Sequence, residues 1–365
     1  MKRLLVLCLA LALTFGFCCG CSDRNIYGDP NANTQIPENY QYLKIEQESN
    51  GNTVIGVGAE LDPHFLSNNV GLHGTYQPDS DEMGEYWEVK EIDWDEIFVP
   101  RIREMNLKRF RTMVLPHYFC ESEEDYQNRN FNWETIQMKS LYQVLDTAQE
   151  LGVYVNLTMW GVDTRYSSWL AVMDSGLWCS EPKEGMEPIL ADLFATLVKY
   201  LREERGYTCV QEVTMYNEPN GIYNRYGISG HSYYVDMCIE MDEAFKAAGI
   251  RDSVKFNLSD DARDPIWLGK SASALEGIAD ILDSHTYDYK ETHTNAQIQY
   301  ELPNYSVKNY IDAIEGSGLP HMFGEFGTGY ADQTGTGLGT ASDRHTPMRG
   351  LQIARIALNM LYMGS

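Results

Sequence analysis

The sequence predicts an α/β fold, a (β/α)8 TIM barrel, and three observations carry that expectation. From about residue 53 onward, short apolar runs alternate with amphipathic stretches, the pattern of βαβ units around a parallel sheet. Seven such repeats can be read along the chain, which suits a barrel better than a doubly wound sheet. The chain has 365 residues, 43% of them hydrophobic, enough for the core of one such barrel.

Residues 1–20 are read apart from that domain. Lys2 and Arg3 give a basic start, and residues 4–17 are an almost unbroken apolar run. The run is shorter than the roughly 20 residues a helix needs to cross a bilayer, and it fits the apolar region of a signal peptide. Cys18, Cys19, Gly20 and Cys21 follow, and the chain then turns polar. This resembles a bacterial lipoprotein signal, with Cys21 as the lipidated residue, although Cys18 and Cys19 depart from the usual pattern. Residues 21–50, rich in Asn, Pro and Gln, are read as a tether and N-terminal extension, and 51–365 as the barrel domain. The expected location is exported and lipid-anchored to the cell envelope.

Strands are expected at 53–60, 107–115, 153–160, 210–218, 254–258, 279–285 and 321–325. Helices are expected at 95–105, 135–151, 188–204, 232–248, 265–275, 307–315 and 347–362. Asp93 with Glu96 three residues on reads as a capping box, and Gly152 as a C-cap. No strand pattern follows residue 362, so the eighth strand is expected to be missing at the C-terminus.

The formal charge of −25 argues against nucleic acid, whose affinity rests on Lys and Arg at phosphates. No HExxH or EF-hand loop occurs, and Cys120, Cys179, Cys209 and Cys238 lack metal-site spacing, so neither metal nor cofactor is expected. Cys209 and Cys238, among aliphatic residues, read as buried thiols. Cys120 and Cys179, in polar company after the second and third strands, are either free or a disulfide at the barrel rim.

In such barrels chemistry sits at the carboxyl ends of the strands. The fourth strand runs into Asn217-Glu218-Pro219 and the seventh into Glu325-Phe326-Gly327. A carboxylate ending an apolar strand is costly unless partnered or working. Two of them, nearly opposite across a barrel, match the pair that glycoside hydrolysis requires. The sixth strand carries His285-Thr286-Tyr287, whose first and third residues point the same way. The second carries Arg109 and Arg111, again on one face.

At these residues the chain resembles a clan A retaining glycoside hydrolase, closest in style to family five, over about residues 53–345. The resemblance implies Glu218 as acid/base, Glu325 as nucleophile and Asn217 on the sugar 2-hydroxyl. It implies Arg111 beside the nucleophile, with Arg109 as the competing assignment. Tyr287 would bond the nucleophile, and His285 the sugar or Glu218. The family's histidine near the third strand's end has no counterpart in 156–160, so Trp160 and His117 are the substrate-binding candidates there. Trp169, Trp178, Tyr118, Tyr223 and Tyr226, in neighbouring loops, suit a glycan cleft. Glu60, Asp62 and His64 open a long loop where they could touch the sugar, although the spacing assigns them no role.

The expected partner is a poly- or oligosaccharide, the expected state a monomer. The alternative is a lipid-anchored glycan-binding protein on a catalytically dead barrel. A metal-dependent isomerase would need further ligands at neighbouring strand ends. Metabolic labelling is expected to place fatty acid on Cys21, and Cys21→Ser to release the protein from membranes; unlabelled protein from the intact gene rejects the anchor.

Overall fold

The computed structural model describes residues 56–62, 94–164, 166–171, 180–222, 230–290, 307–329, 353–354, 356–361 and 365. The signal peptide, the tether, Asp93 of the expected capping box, His64, Trp178, Cys179, Tyr223 and Tyr226 lie outside these residues.

The chain enters at β1 (Gly58–Glu60). A wide π-type turn, Trp94–Phe98, leads into α1 (Val99–Met105), which Asn106 ends in the left-handed conformation at φ 52°. β2 (Arg109–Val114) is followed by the short α2 (Glu123–Asn128). The Ser122 hydroxyl caps α2 by accepting from the Asp125 N–H, and three acidic residues occupy its first turn, where the helix dipole favours them. α3 (Ile136–Leu151) begins at a Thr135 cap and ends at Gly152, φ 65°, a geometry that glycine adopts without strain. Its buried face, Met138, Leu141, Tyr142, Leu145 and Ala148, has helical period.

β3 (Tyr154–Met159), α4 (Glu187–Lys199), β4 (Val210–Met215), the single-turn α5 (Pro219–Ile222) and α6 (Gly230–Ala247) continue the alternation. β5 (Lys255–Ala262), α7 (Pro265–Ala274), β6 (Ile281–Lys290), α8 (Lys308–Ala313) and β7 (His321–Gly329) follow, and described residues from 353 to 361 are helical. The last three strands run several residues past their expected ends. Ser259 to Asp261 of β5 and Thr286 of β6 are polar and buried, so hydropathy alone stops those strands short.

The seven described strands form one parallel sheet in the order of the sequence, each hydrogen-bonded to its chain neighbour. The sheet is curled: Glu60 on β1 and Glu325 on β7, from its two ends, both accept from the same Arg111 guanidinium nitrogen. Between β1 and β7 lies a cavity of about 1360 Å³, lined from Arg109 and Gly58 up to Tyr287 and Glu325. This is the (β/α)8 architecture, with seven strands described.

The barrel interior is polar. Arg109 pairs with Glu212 at 2.8 Å, both buried. Asn156 donates to Thr214 at 2.9 Å and Asn257 to Asp283 at 2.6 Å. The aliphatic core lies outside this layer, between sheet and helices, where Leu190, Leu193, Phe194 and Leu197 of α4 are buried. Cys209 and Cys238 are buried there as free thiols. Cys120, expected in polar company, is also buried in this core, packed beside Phe119, with its thiol directed at the Ser122 carbonyl. Its proposed partner Cys179 is among the undescribed residues.

His321 opens β7 in a buried pocket beside the rings of Tyr310 and Phe323. Burial pushes its pKa down to about 3, against about 6.5 in an unfolded chain. Between those values the unfolded chain binds a proton that the folded chain does not. Stability is therefore lost as pH falls from about 6.5 toward 3, at about 1.4 kcal/mol per pH unit from this group. His321→Gln is expected to flatten that slope in denaturant unfolding across this range; an unchanged slope places the acid sensitivity elsewhere.

Candidate active site

The carboxyl ends of the strands bring one constellation together. Arg111, fully buried at the middle of β2, is its hub. One terminal nitrogen donates to Glu60 Oε2 at 2.8 Å and to Glu325 Oε1 at 2.5 Å; the other donates to Asn217 Oδ1 and Asp260 Oδ2, both at 2.8 Å. Arg109, two residues earlier, lies one layer deeper against Glu212. The choice that the period of two left open falls to Arg111.

Glu325 also accepts from the Tyr287 hydroxyl at 2.7 Å. Burial alone would raise its pKa, but His285, Arg111 and that hydroxyl together hold it below the ordinary glutamate range. Glu325 is thus ionised, with its remaining exposure directed at the open face. Tyr287 is pushed the other way by burial and the Glu325 charge, so its hydroxyl keeps its proton and donates.

His285 is fully buried between carboxylates. Its Nδ1 faces Glu218 Oε1 at 3.0 Å and its Nε2 faces Asp260 Oδ1 at 3.1 Å. Burial would lower its pKa, yet Glu325 and Asp260 raise it well above that of a free histidine. Both ring nitrogens thus face carboxylate oxygens, an arrangement in which the ring can donate in both directions.

Glu218, Glu325 and His285 each offer an atom within 4.8 Å of the others. Such a trio has the donor types of a metal site. Here the positive charge is already supplied by Arg111 and His285, and both ring nitrogens of His285 are engaged, so the residues fit a paired-carboxylate site better than a cation site.

The backbone around these groups is strained. Tyr216 (φ 77°), Glu218 (φ 47°), Ser259 (φ 84°) and Asp260 (φ 46°) occupy the left-handed region that side chains disfavour. Cross-links hold them there: the Glu218 N–H donates to the Asp260 carbonyl at 3.1 Å, and the Asn220 amide both donates to Ala262 O and accepts from Ala262 N.

Of the other candidates, His117 is buried, stacked on Tyr166 at 4.6 Å and edge-on to Tyr118. Trp160 directly follows β3, half-buried against the core. Trp169 stacks at 6.2 Å on Tyr126. The described contacts of these rings are with the protein itself.

Four acidic residues join the constellation; the sequence pointed to Glu60 and Asp62 only as sugar contacts, and to Asp260 and Asp283 not at all. Glu60 meets Arg111 directly. Asp62, buried, is hydrogen-bonded to Glu60 and accepts the Met113 N–H at 2.8 Å. Burial and Glu60 raise Asp62 well above the ordinary carboxylate range, so it is the protonated member of the pair. Asp260 and Asp283 lie beneath His285. The signal for Asp260 was the acidic pair Asp260-Asp261 closing the fifth strand, masked by ending that strand at Leu258.

With this geometry in hand, comparison with known proteins bears on the fold. No protein-family model matches the sequence, and no curated protein matches it. Solved structures do. A GH39 β-xylosidase from Caulobacter crescentus superposes with a TM-score of 0.53 at 15% identity, over 84% of this chain and 59% of that one. The GH39 enzyme from Xanthomonas axonopodis pv. citri gives 0.50 at 14% identity, over 75% and 51%. A GH5-4 broad-specificity endoglucanase from an uncultured bacterium gives 0.52 at 14% identity, over 85% and 84%. The chain spans little more than half the length of the two GH39 proteins. The shared feature is the (β/α)8-barrel fold.

Gly324 places Glu325. Its N–H donates to Asp283 Oδ1 at 2.5 Å, and a Cβ there would lie 2.5 Å from Asp283 Oδ2. Gly324→Ala is expected to destabilise the fold by about 1–3 kcal/mol, measured by denaturant unfolding; an unchanged midpoint shows that Asp283 moves aside freely.

Proposed function

We propose that the chain is a retaining glycoside hydrolase that cleaves β-glycosidic bonds of a poly- or oligosaccharide by double displacement. The observation that carries this reading is the asymmetric carboxylate pair. Glu325 is held ionised by Arg111, His285 and Tyr287, and an oxygen of Glu218 lies within 4.8 Å of one of its own. That spacing suits the separation of about 5–5.5 Å at which one carboxylate attacks the anomeric carbon directly. A water-activating, inverting pair would need about 6.5–9.5 Å.

In this reading Glu218 protonates the glycosidic oxygen as Glu325 bonds to the anomeric carbon and the leaving group departs. Glu218, now a carboxylate, takes a proton from water, whose oxygen displaces Glu325 from the sugar. Arg111 and Tyr287 hold the nucleophile's two oxygens, and His285 fixes Glu218. Asn217, turned by its bond to Arg111, presents its amide nitrogen to a sugar hydroxyl. The fold shared with the xylosidase and endoglucanase supports this chemistry. We further propose export and lipid anchoring through Cys21, which rests on the N-terminal pattern; among the described residues no helix is long and apolar enough to cross a membrane.

Glu325→Gln is expected to abolish turnover with the fold intact. Glu218→Gln is expected to slow glycosides with poor leaving groups by about 10²–10⁴-fold and activated aryl glycosides far less. NMR of the first-formed product should show retained anomeric configuration, and inversion overturns the mechanism. Glycan binding without turnover by the wild-type protein favours a binding barrel instead.

A further inference from the structure

Asp260 takes no part in the bond changes just described, yet it touches both halves of the site. It is fully buried at the end of β5. One carboxylate oxygen accepts from Arg111, which holds Glu325. The other faces Nε2 of His285, whose opposite nitrogen faces Glu218. Its main-chain carbonyl accepts the Glu218 N–H. A register shift in the β5–β6 pairing between Ser259 and Asp261, with left-handed φ at Ser259 and Asp260, aims the residue inward. Strain of this kind persists only where the surroundings over-determine it.

Asp260 is the largest counter-ion of Arg111, which Glu325 and Glu60 also face. Asp260 also acts directly on His285, with its second oxygen facing Nε2. The charged groups around that ring are Glu218 after β4, Asp260 and Asp261 on β5, Asp283 on its own strand and Glu325 on β7. Arg111 on β2 is joined to it through Asp260. A carboxylate is an acceptor without a proton to give. Facing Nε2, it therefore requires a proton on that nitrogen, and Nδ1 is then free to carry the second toward Glu218.

We propose that Asp260 is a positioning residue that keeps both nitrogens of His285 protonated and Arg111 in one orientation, so that each working carboxylate sits beside a fixed positive charge. The inference deepens the glycosidase reading and rests on it for its catalytic consequence. Arg111 and His285 in turn overcome the effect of burial and hold Asp260 at about 2, ionised throughout the working range.

In Asp260→Asn the amide can donate to Nε2, and the ring becomes neutral with its proton on Nδ1. Glu325 and Glu218 both lose an adjacent cation. The acid and basic limbs of the kcat/KM profile are then expected to move upward together, by about one pH unit or more. A residue that merely supports the fold lowers the amplitude and leaves the limbs in place. If the imidazolium survives the substitution, loss of a nearby negative charge moves both limbs down. Either result overturns the proposal.

A second measurement does not depend on turnover. In full-length protein labelled with 15N-histidine, the His285 signals, assigned by their loss in His285→Gln, should show both nitrogens protonated at about pH 7, above the range of a free histidine. In Asp260→Asn they should show a neutral ring at about pH 7 and above. A neutral His285 in the wild-type protein at that pH overturns the inference, and this arm stands even if Asp260→Asn does not fold. Should no glycoside be hydrolysed, the proposed function falls while the nitrogen shifts still decide the role of Asp260.

Discussion

A single buried guanidinium organises this barrel. Arg111 has no access to solvent, and a buried cation is tolerable only with partners of opposite charge in good geometry. Its partners come from β1, β5, β7 and the turn after β4. Glu60 and Glu325, at opposite ends of the described sheet, can meet on one nitrogen only if that sheet curls. Removing Arg111 would leave several carboxylates facing each other without compensation, and removing one partner of a buried pair costs about 3–5 kcal/mol.

The hub also explains why a strongly acidic interior is stable. Glu60, Asp62, Asp260, Asp283, Glu218 and Glu325 crowd into one end of the barrel, faced by Arg111 and His285. Burial and the two cations push different carboxylates in opposite directions. Burial and a like-charged neighbour drive Asp62 well above the ordinary range and Asp283 to about 6, while the two cations hold Asp260 and Glu325 down. Asp62 bonds to Glu60, and Asp260 and Glu325 bond to the cations. The strained residues Glu218, Ser259 and Asp260 lie within this network, whose many bonds can sustain conformations that would otherwise relax.

The order of strands and helices was legible because apolar period and turn chemistry are local. Thr135 and Gly152 bound α3 where their types predict. Three of the strand ends were not legible. Ser259 to Asp261 of β5 and Thr286 to Tyr287 of β6 are polar, and they stay in the sheet because polar groups are satisfied inside the barrel, Asp261 by Ser259 and Ser284 and Tyr287 by Glu325. Hydropathy assigns such residues to loops. Cys120 shows the converse error, since its polar sequence neighbours Glu121 and Ser122 conceal a residue that turns into the core.

By itself the sequence determined that Glu218 closely follows strand four and Glu325 lies on strand seven, that His285 and Tyr287 share a face, and that Arg109 and Arg111 share one on β2. Each is a property of residue type and of the two-residue period. Tertiary structure decided which arginine. Arg109 and Arg111 are equivalent under that period, and the difference is made by Glu212, one layer down on β4, which takes Arg109. Tertiary structure alone also brought Asp260 between Arg111 and His285, residues 149 and 25 positions away from it in the chain. No local rule relates them, because the contact exists only once the sheet has curled and its strand ends have converged on one buried charge.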